Sequence, residues 1–521
     1  MPSPSEKLAQ SLEVLHSLQN ANGAAAIRAK DMTRTHRERL VANGFLREVM
    51  KGWYIPSRPD EVKGESTSWY ASFWRFSAAY LEMRLGRNWS LSPEQSLSLH
   101  AGNWTVPRQL VVRSPKARNK VTVLPHGTSL LDLRAALPAA GDRAEIDGLR
   151  LFSLEAALID CSTQYFLTHA TDARAALAMV RDVSGLLSRL LAGGHSTIAG
   201  RLAGAFRNSG RGHIAENIVK TMTAAGYKIR ETNPFGDAFP LALPMRETSP
   251  YVNRIRLLWQ RMREPVSERF PRAPGLPRNA GAYLKRVAEA YVTDAYHSLS
   301  IEGYRVSADL IQRVRRGAWN PDTHEQDREQ RNAMAARGYW QAYQEVQKSI
   351  GRVLKGENPG TVAEEDHRAW YREMFAPSVT AGLVRPADLA GYRDAQVYIR
   401  QSMHVPLSRE AVRDAMPAFF DLLRDETDPA VRVVLGHFVF VYIHPYMDGN
   451  GRMGRFLMNL MMAAGGFPWT VIPVADRKVY MDALEKASVG EDIGPFADFL
   501  AGLVKKGLAG APLPEVPRAG S

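Results

Sequence analysis

Leucines at positions 8, 12, 15 and 18 recur at helical spacing and predict an amphipathic helix over residues 5–20. After Asn22-Gly23 the pattern predicts a second helix over residues 30–42, closed by Asn43-Gly44 as a C-cap. The alternating segment Phe45-Leu-Arg-Glu-Val-Met-Lys-Gly-Trp-Tyr-Ile55 then predicts a hairpin. Between residues 60 and 235 the period changes repeatedly. Gln109-Leu-Val-Val-Arg113 and Val121-Thr-Val-Leu124 are strand-like, whereas residues 154–160 and 173–191 are helical. Pro234 to Pro244 is a proline-interrupted boundary. From about residue 250 nearly every segment carries helical periodicity as far as Lys506. The last stretch, 507–521, has three prolines and three glycines and is expected to be a disordered tail. No repeat of solenoid-like period is visible.

At 521 residues the chain is too long for one ordinary core, so two to four domains are expected. Its composition is that of a soluble globular protein, without the apolar depletion of a disordered one. No N-terminal segment resembles a signal peptide, and no apolar run reaches the roughly 18 residues that span a bilayer, so no membrane partner is expected. The single cysteine, Cys161, excludes an intrachain disulfide and argues against a cysteine-based metal site. Its apolar helical setting predicts a buried inert thiol, and the expected compartment is the reducing cytoplasm.

The net charge of +13 is uneven: residues 1–236 hold 30 Lys and Arg against 20 Asp and Glu, and residues 237–521 hold 37 against 34. An acidic partner for the N-terminal half, DNA among the candidates, and a basic surface with no specific partner both fit this excess. The second helix carries Arg34, Arg37 and Arg39, and helix, basic helix, then hairpin is the layout of a winged helix-turn-helix. A small module whose arginines are merely solvated has the same layout.

The densest chemistry lies in His444-Pro-Tyr-Met-Asp-Gly-Asn-Gly-Arg452-Met-Gly-Arg455, between two apolar helical runs. Asp448-Gly-Asn-Gly451 cannot continue a helix, so a new one is expected to begin near Asn450 or Gly451. Its free N–H groups would form an anion site, and the glycines would let a phosphate approach the backbone. Arg452 and Arg455 are three residues apart and share a helical face, able to grip further phosphate oxygens. Asp448 supplies a hard oxygen for Mg²⁺, and His444 is the group able to accept a proton at neutral pH. These are parts for transferring a phosphate-containing group to a hydroxyl. A P-loop is excluded by the absence of its signature, and a calcium loop by the missing later carboxylates.

The string resembles the signature of the Fic family, His-x-Phe-x-Asp/Glu-Gly-Asn-Gly-Arg-x-x-Arg, with Tyr446 in place of Phe. The resemblance implies a helical domain that moves AMP from ATP to a Tyr, Ser or Thr hydroxyl of a target protein. His444 would be the base and Asp448 the Mg²⁺ ligand. Gly449, Asn450 and Gly451 would cradle phosphate, and Arg452 and Arg455 would stabilise the outer phosphates. Tyr480, in Arg477-Lys-Val-Tyr-Met-Asp-Ala-Leu484, matches a segment lining the base pocket in relatives; helix packing is the alternative. His437 is expected in the core.

Ser298-Leu-Ser-Ile-Glu302-Gly303 is similar to the family's inhibitory pattern Ser/Thr-x-x-x-Glu-Gly/Asn, which implies that Glu302 pairs with Arg455 and misaligns ATP. Gln396-Val-Tyr-Ile399 and Met403-His404-Val405-Pro406 are expected as a short hairpin, the flap that registers a target segment as an added strand. In the N-terminal half, Thr33-x-x-x-Arg37-x-Arg39-Leu40-Val41, Asn43-Gly44-Phe45-Leu46 and Gly52-Trp53-Tyr54 resemble the winged-helix part of AbiE-type antitoxins, which implies DNA binding.

The predicted architecture is therefore multidomain. It comprises a winged-helix-like domain (1–60), a mixed α+β antitoxin-like domain (61–240) and an all-α Fic domain (250–506) with an inhibitory helix (282–303) and a β-hairpin flap, followed by the tail. The predicted function is an autoinhibited protein adenylyltransferase, with a homodimer among the compatible assemblies. AMP removal or transfer of another nucleotide are alternatives, as is an antitoxin-like DNA-binding regulator whose Fic site senses nucleotide.

Overall fold

The computed structural model describes residues 3–22, 26–61, 64–235, 249–318 and 330–517. Part of the predicted boundary, from residue 236 onward, lies outside these, as do residues 518–521 of the tail. The chain divides into two units, residues 1–254 with 398–405, and residues 255–397 with 406–521.

The first unit opens with α1 (Pro4–Asn22), β1 (Ile27–Arg28), α2 (Arg34–Ala42), β2 (Leu46–Met50) and β3 (Trp53–Pro56). The predicted second helix is thus shorter than 30–42. A 3-10 turn at Ala29–Asp31 ends where Arg28 and Asp31 pair, and Thr33 restarts the chain as N-cap, its hydroxyl accepting from the His36 N–H. The hairpin is present, with Gly52 in the left-handed turn at φ +79°, and β1 adds to it in the order β1-β3-β2. Leu15, Ile27, Met32, Leu40 and Leu46 form the small core beneath.

Next come α3 (Thr67–Leu85), β4 (Ser90–Leu91), α4 (Pro93–His100), β5 (Gln109–Ser114), β6 (Lys120–Val123) and β7 (Ser129–Arg134), with sheet order β4-β5-β7-β6 and a parallel β5–β7 pair. The aromatic face of α3, with Trp69, Phe73, Phe76 and Tyr80, covers this sheet's core. The hairpin β8 (Arg143–Ile146) and β9 (Leu149–Phe152) leads into α5 (Leu154–Asp160), α6 (Thr163–Thr168), α7 (Ala170–Met179), α8 (Ser184–Ala192), α9 (Ser196–Asn208) and α10 (Gly212–Ala224). The single helix predicted over 173–191 is two. The chain leaves helical geometry at Val180, and Asp182 accepts from the Ser184 N–H and hydroxyl to start the second. Cys161 is buried as predicted, and burial pushes its thiol up to about 12.

Residues 398–405 group with this unit. Arg400 pairs with Glu65 at 3.1 Å, the Gln401 N–H donates to Thr67 Oγ1 at 3.1 Å, and Val106 N–H donates to the Met403 carbonyl at 2.9 Å. The predicted flap hairpin is therefore corrected: residues 396–406 contain no strand. The Met403 carbonyl at the start of the second arm is taken by the Val106 N–H, and the turn between the arms is held by the bond from the Gln401 N–H to Thr67.

The chain enters the second unit along α11 (Pro250–Arg269). That unit is helical, with no strand among the described residues: α12 (Ala280–Ile301), α13 (Ala308–Arg315), α14 (Gln330–Val353), α15 (Pro359–Thr380), α16 (Arg409–Asp425), α17 (Pro429–Ile443), α18 (Asn450–Gly465), α19 (Arg477–Gly490) and α20 (Gly494–Leu508). Helix α17 is apolar on almost every face and is buried on almost every face, the expected fate of such a helix. Asp428 caps its start by accepting from the Ala430 N–H, and Pro429 stands at the first helical position. Paired with α18, it holds the intervening loop at both ends. No helix among the described residues is long and apolar enough to cross a membrane.

Candidate active site

His444 terminates α17 in a left-handed conformation, φ +55° and ψ +61°. An L-residue at positive φ is held there by its surroundings. Arg393 supplies much of that hold: its Nε donates to the His444 carbonyl at 2.8 Å, and its backbone N–H donates to the Pro445 carbonyl at 2.9 Å. The His444 Nδ1 lies 3.2 Å from the Val441 carbonyl. A carbonyl only accepts, so Nδ1 carries the proton and Nε2 presents a lone pair. Burial, with Arg393 adding to it, pushes the imidazole down to about 4, so it is neutral and ready to accept a proton at pH 7.

The loop is closed by Asn450, whose Oδ1 accepts from the Tyr446 N–H at 2.9 Å and whose Nδ2 donates to the Tyr446 carbonyl at 2.8 Å. The Asn450 side chain is thus committed to the loop, leaving its backbone as the part able to face an anion. Tyr446 packs its ring on Tyr371, centroids 3.8 Å apart and nearly coplanar. Gly449 is the N-cap of α18 at φ +81°, and a Cβ there would stand 2.7 Å from the Phe375 ring, so any side chain is excluded twice over.

Arg452 and Arg455 are both buried on the first turns of α18. The Arg452 guanidinium lies between the rings of Tyr304 and Phe375, 5.1 and 5.0 Å from their centroids, with Nη2 3.3 Å from Asp448 Oδ2. Its Nε has no hydrogen-bond partner among the described residues. Ser298 and Glu302, four apart at the end of α12, share a face that Arg455 bridges. Arg455 Nε donates to Ser298 Oγ at 2.8 Å, and Nη2 donates to the Ser298 carbonyl at 3.0 Å and to Glu302 Oε1 at 2.7 Å. A Cβ built on Gly451 would collide with Glu302 Oε1 and come within 3.2 Å of Arg455 Nη1. The carboxylate thus rests on the bare start of α18, where free N–H groups and a buried cation favour negative charge. Arg455 Nη1 has no hydrogen-bond partner among the described residues.

Asp448 points outward, its side chain 65% exposed, with Oδ1 accepting from the Gly449 N–H at 2.6 Å. No cluster of three metal-ligating side chains occurs among the described residues. One outward carboxylate suits Mg²⁺ completed by substrate phosphates and water, the usual way that ion is held.

Residues 361–462 match the profile of the Fic/DOC family. The chain carries a Fic domain. Beyond the profile, the protein is 28% identical over 253 residues to protein adenylyltransferase Fic of Nematostella vectensis, covering 48% of this chain and 55% of that one. It is 26% identical over 271 residues to protein adenylyltransferase fic-1 of Caenorhabditis elegans, covering 51% and 49%. Against protein adenylyltransferase Fic of Drosophila willistoni it is 30% identical over 234 residues, covering 44% and 43%. The chain therefore spans about half the length of the curated relatives it matches. A solved structure of Fic-1 from C. elegans overlays with a TM-score of 0.37 at 20% identity, covering 67% of this chain and 96% of that one.

Tyr480, beyond the matched residues, is not an open pocket wall. It is 1% exposed, and its hydroxyl lies 2.8 Å from Nε2 of His437, itself in the core as predicted. Gln396 and Val397 remain in the second unit, the Gln396 amide donating to the Pro406 carbonyl at 2.9 Å, while Tyr398, Ile399, His404 and Val405 lie in the first. Tyr304, Phe375 and Arg393 escaped the sequence reading. Tyr304 follows Glu302 by two residues and could have been suspected; Phe375 and Arg393 sit on segments whose pattern carries no sign of the loop they hold.

The arginines of α2 differ from expectation. Arg37 Nη1 donates to the Ala29 carbonyl at 2.8 Å, and Arg39 Nη1 donates to the Lys7 carbonyl at 2.8 Å and to Ser11 Oγ at 2.9 Å. Arg34 alone of the three is widely exposed, and it pairs with Glu38 at 2.6 Å. Two of the three are thus held by their own fold rather than left open to solvent.

Proposed function

We propose that the chain is a protein adenylyltransferase held in an off state by Glu302. The observation that carries this reading is the Glu302 carboxylate lying on Gly451 and Arg455, where an ATP phosphate would have to bind. The names of the relatives, each a protein adenylyltransferase, point to the same chemistry.

In the active state a Tyr, Ser or Thr hydroxyl of the target gives its proton to His444 Nε2. Its oxygen attacks the α-phosphorus of ATP, the bond from that phosphorus to the bridging oxygen breaks, and pyrophosphate leaves. Backbone N–H groups from Gly449 to Gly451, with Arg452 and Arg455, hold the phosphates and stabilise charge that grows on the leaving group. Asp448 would hold Mg²⁺, which when bound neutralises charge on the same phosphates. As negative phosphate arrives beside His444, its basicity rises from the low value set by burial, which strengthens the base when substrate is present. With Glu302 in place, Arg455 is engaged and the terminal phosphate lacks its partner.

The test is incubation of wild type, Glu302→Gly and Glu302→Gly/His444→Ala with α-labelled ATP, Mg²⁺ and host lysate. Label on protein in Glu302→Gly, weak label in wild type and none in the double variant is expected. No label with any nucleoside triphosphate would overturn the reading. Release of AMP from pre-labelled protein by wild type but not by Glu302→Gly would assign Glu302 to removal of AMP instead.

A further inference from the structure

Beside the catalytic loop the second unit holds a cavity of about 780 Å³, whose lining includes Arg368, Arg393, Arg413, Tyr392, Phe420 and Met447. It is separate from the phosphate-binding start of α18, sharing with that loop only Met447. Three carboxylates also face it, and two of them have ion-pair partners outside it. Glu364 pairs with Arg424, which Asp421 shares at 2.8 Å, and Asp388 pairs with Arg385 at 2.6 Å. Asp394 faces three arginines of the same lining. Arg393 is buried and bonded to the carbonyls of His444, Ala395 and Leu407. Arg368 and Arg413 are exposed. The first lies over the Tyr392 ring at 5.3 Å, the second donates to the Arg409 carbonyl at 2.7 Å, and neither forms an ion pair among the described residues.

We propose, on the reading that the Fic domain modifies a protein, that this cavity receives acidic side chains flanking the hydroxyl that is modified. Two cations without carboxylate partners, set among ring faces, suit Asp or Glu side chains on a peptide better than a bare ion, because the apolar walls of Tyr392 and Phe420 take up the aliphatic stems. The cavity's position suits the task. Arg393 forms one wall and grips the His444 carbonyl, so a segment seated there continues past the base within a few residues, each spanning about 3.3–3.6 Å. Arg368 and Arg413 would thereby set target choice, and Arg393 would be a positioning residue for His444.

The probes are two fluorescein-labelled peptides with a central tyrosine, one flanked by glutamates and one by lysines, titrated by anisotropy against full-length Glu302→Gly. The glutamate peptide is expected to bind at least about tenfold tighter. Adding Arg368→Glu and Arg413→Glu is expected to weaken it at least about tenfold with an unchanged melting temperature, while Arg368→Lys and Arg413→Lys retain most of the affinity. Equal binding of both peptides, or full binding by the charge-reversed variant, overturns the proposal. Saturable binding of inorganic phosphate that displaces the peptide also overturns it, in favour of a free-anion site. Peptide binding without AMP transfer to its tyrosine refutes the transferase reading and leaves the docking site standing. Transfer to both peptides at equal kcat/KM does the reverse.

Discussion

Two short helical segments carry arginines at helical spacing, α2 in the first unit and the start of α18 in the second, and they use them oppositely. On α2 the guanidinium groups of Arg37 and Arg39 are bonded to carbonyls and a hydroxyl of their own fold, and Arg34 pairs with a neighbouring glutamate. On α18 the guanidinium groups are more deeply buried, yet each retains an N–H without a partner among the described residues. Burying a cation is costly, and leaving its donors unmet costs more. Those two donors are open to a further partner. Unused hydrogen-bonding capacity, rather than positive charge, is what separates the arginines of these two helices.

The sharpest test of the α18 side is removal of its base. In a Glu302→Gly background, His444→Ala should cut AMP transfer by about 10²–10⁴-fold, the usual worth of a positioned proton acceptor, measured with α-labelled ATP. Next in size is the contested arginine. A charged hydrogen bond is worth about 1.5–3 kcal/mol, so Glu302→Gly should raise transfer by about 10–100-fold over wild type. Arg455→Ala in that background should return the rate toward the wild-type level. If Glu302→Gly and wild type transfer AMP equally, the carboxylate is structural and the contrast with α2 collapses.

How much of this was readable beforehand follows the range of the interactions. The loop from His444 to Arg455 is contiguous, and its turn and helix start follow from glycine and helix-end chemistry, so they were legible. The Ser298–Glu302 pair was legible only through its resemblance to the family's inhibitory pattern, since nothing in its spacing points to Arg455, 153 residues on. The bonds by which the Asn450 side chain closes its own loop were not legible, since such a side chain looks in sequence like one aimed at a ligand. The flap failed as a hairpin because its backbone partners, Thr67 and Val106, are some three hundred residues away. For Tyr480 the sequence left pocket wall and helix packing both open; its buried bond to His437, like the capture of the α2 arginines, was not legible because burial and capture by distant atoms leave no periodic signature.

On the α2 side the expected effects are on stability. Arg39→Ala removes two hydrogen bonds from the packing of α1 on α2 and should destabilise the first unit by about 1–3 kcal/mol in urea. Arg34→Ala breaks only an exposed i,i+4 pair and should leave stability in urea essentially unchanged. The same two variants decide whether the helix meets DNA. If Arg34→Ala weakens binding of a short duplex at low salt about tenfold without changing stability, α2 also has a functional arginine, and the contrast with α18 is narrower than drawn.

The smallest effect concerns pH. Burial holds His444 at about 4, so between pH 6 and 8 the base is neutral throughout, and transfer by Glu302→Gly should vary less than about twofold from this group. The buried neutral imidazoles of His367 and His437, also held at about 4, set the matching stability term. In the unfolded chain they charge near 6.5. Between pH 6.5 and 4 the unfolded state therefore binds more protons, and stability falls as pH falls through that window and is fully present above it. Thermal melts at pH 7, 5.5 and 4.5 should decline in that order, and less steeply in His437→Asn. An acid limb of transfer near pH 6.5, with melts unchanged to pH 5.5, would mean that His444 titrates as an exposed imidazole and that the α18 site is wetter than its buried arginines require.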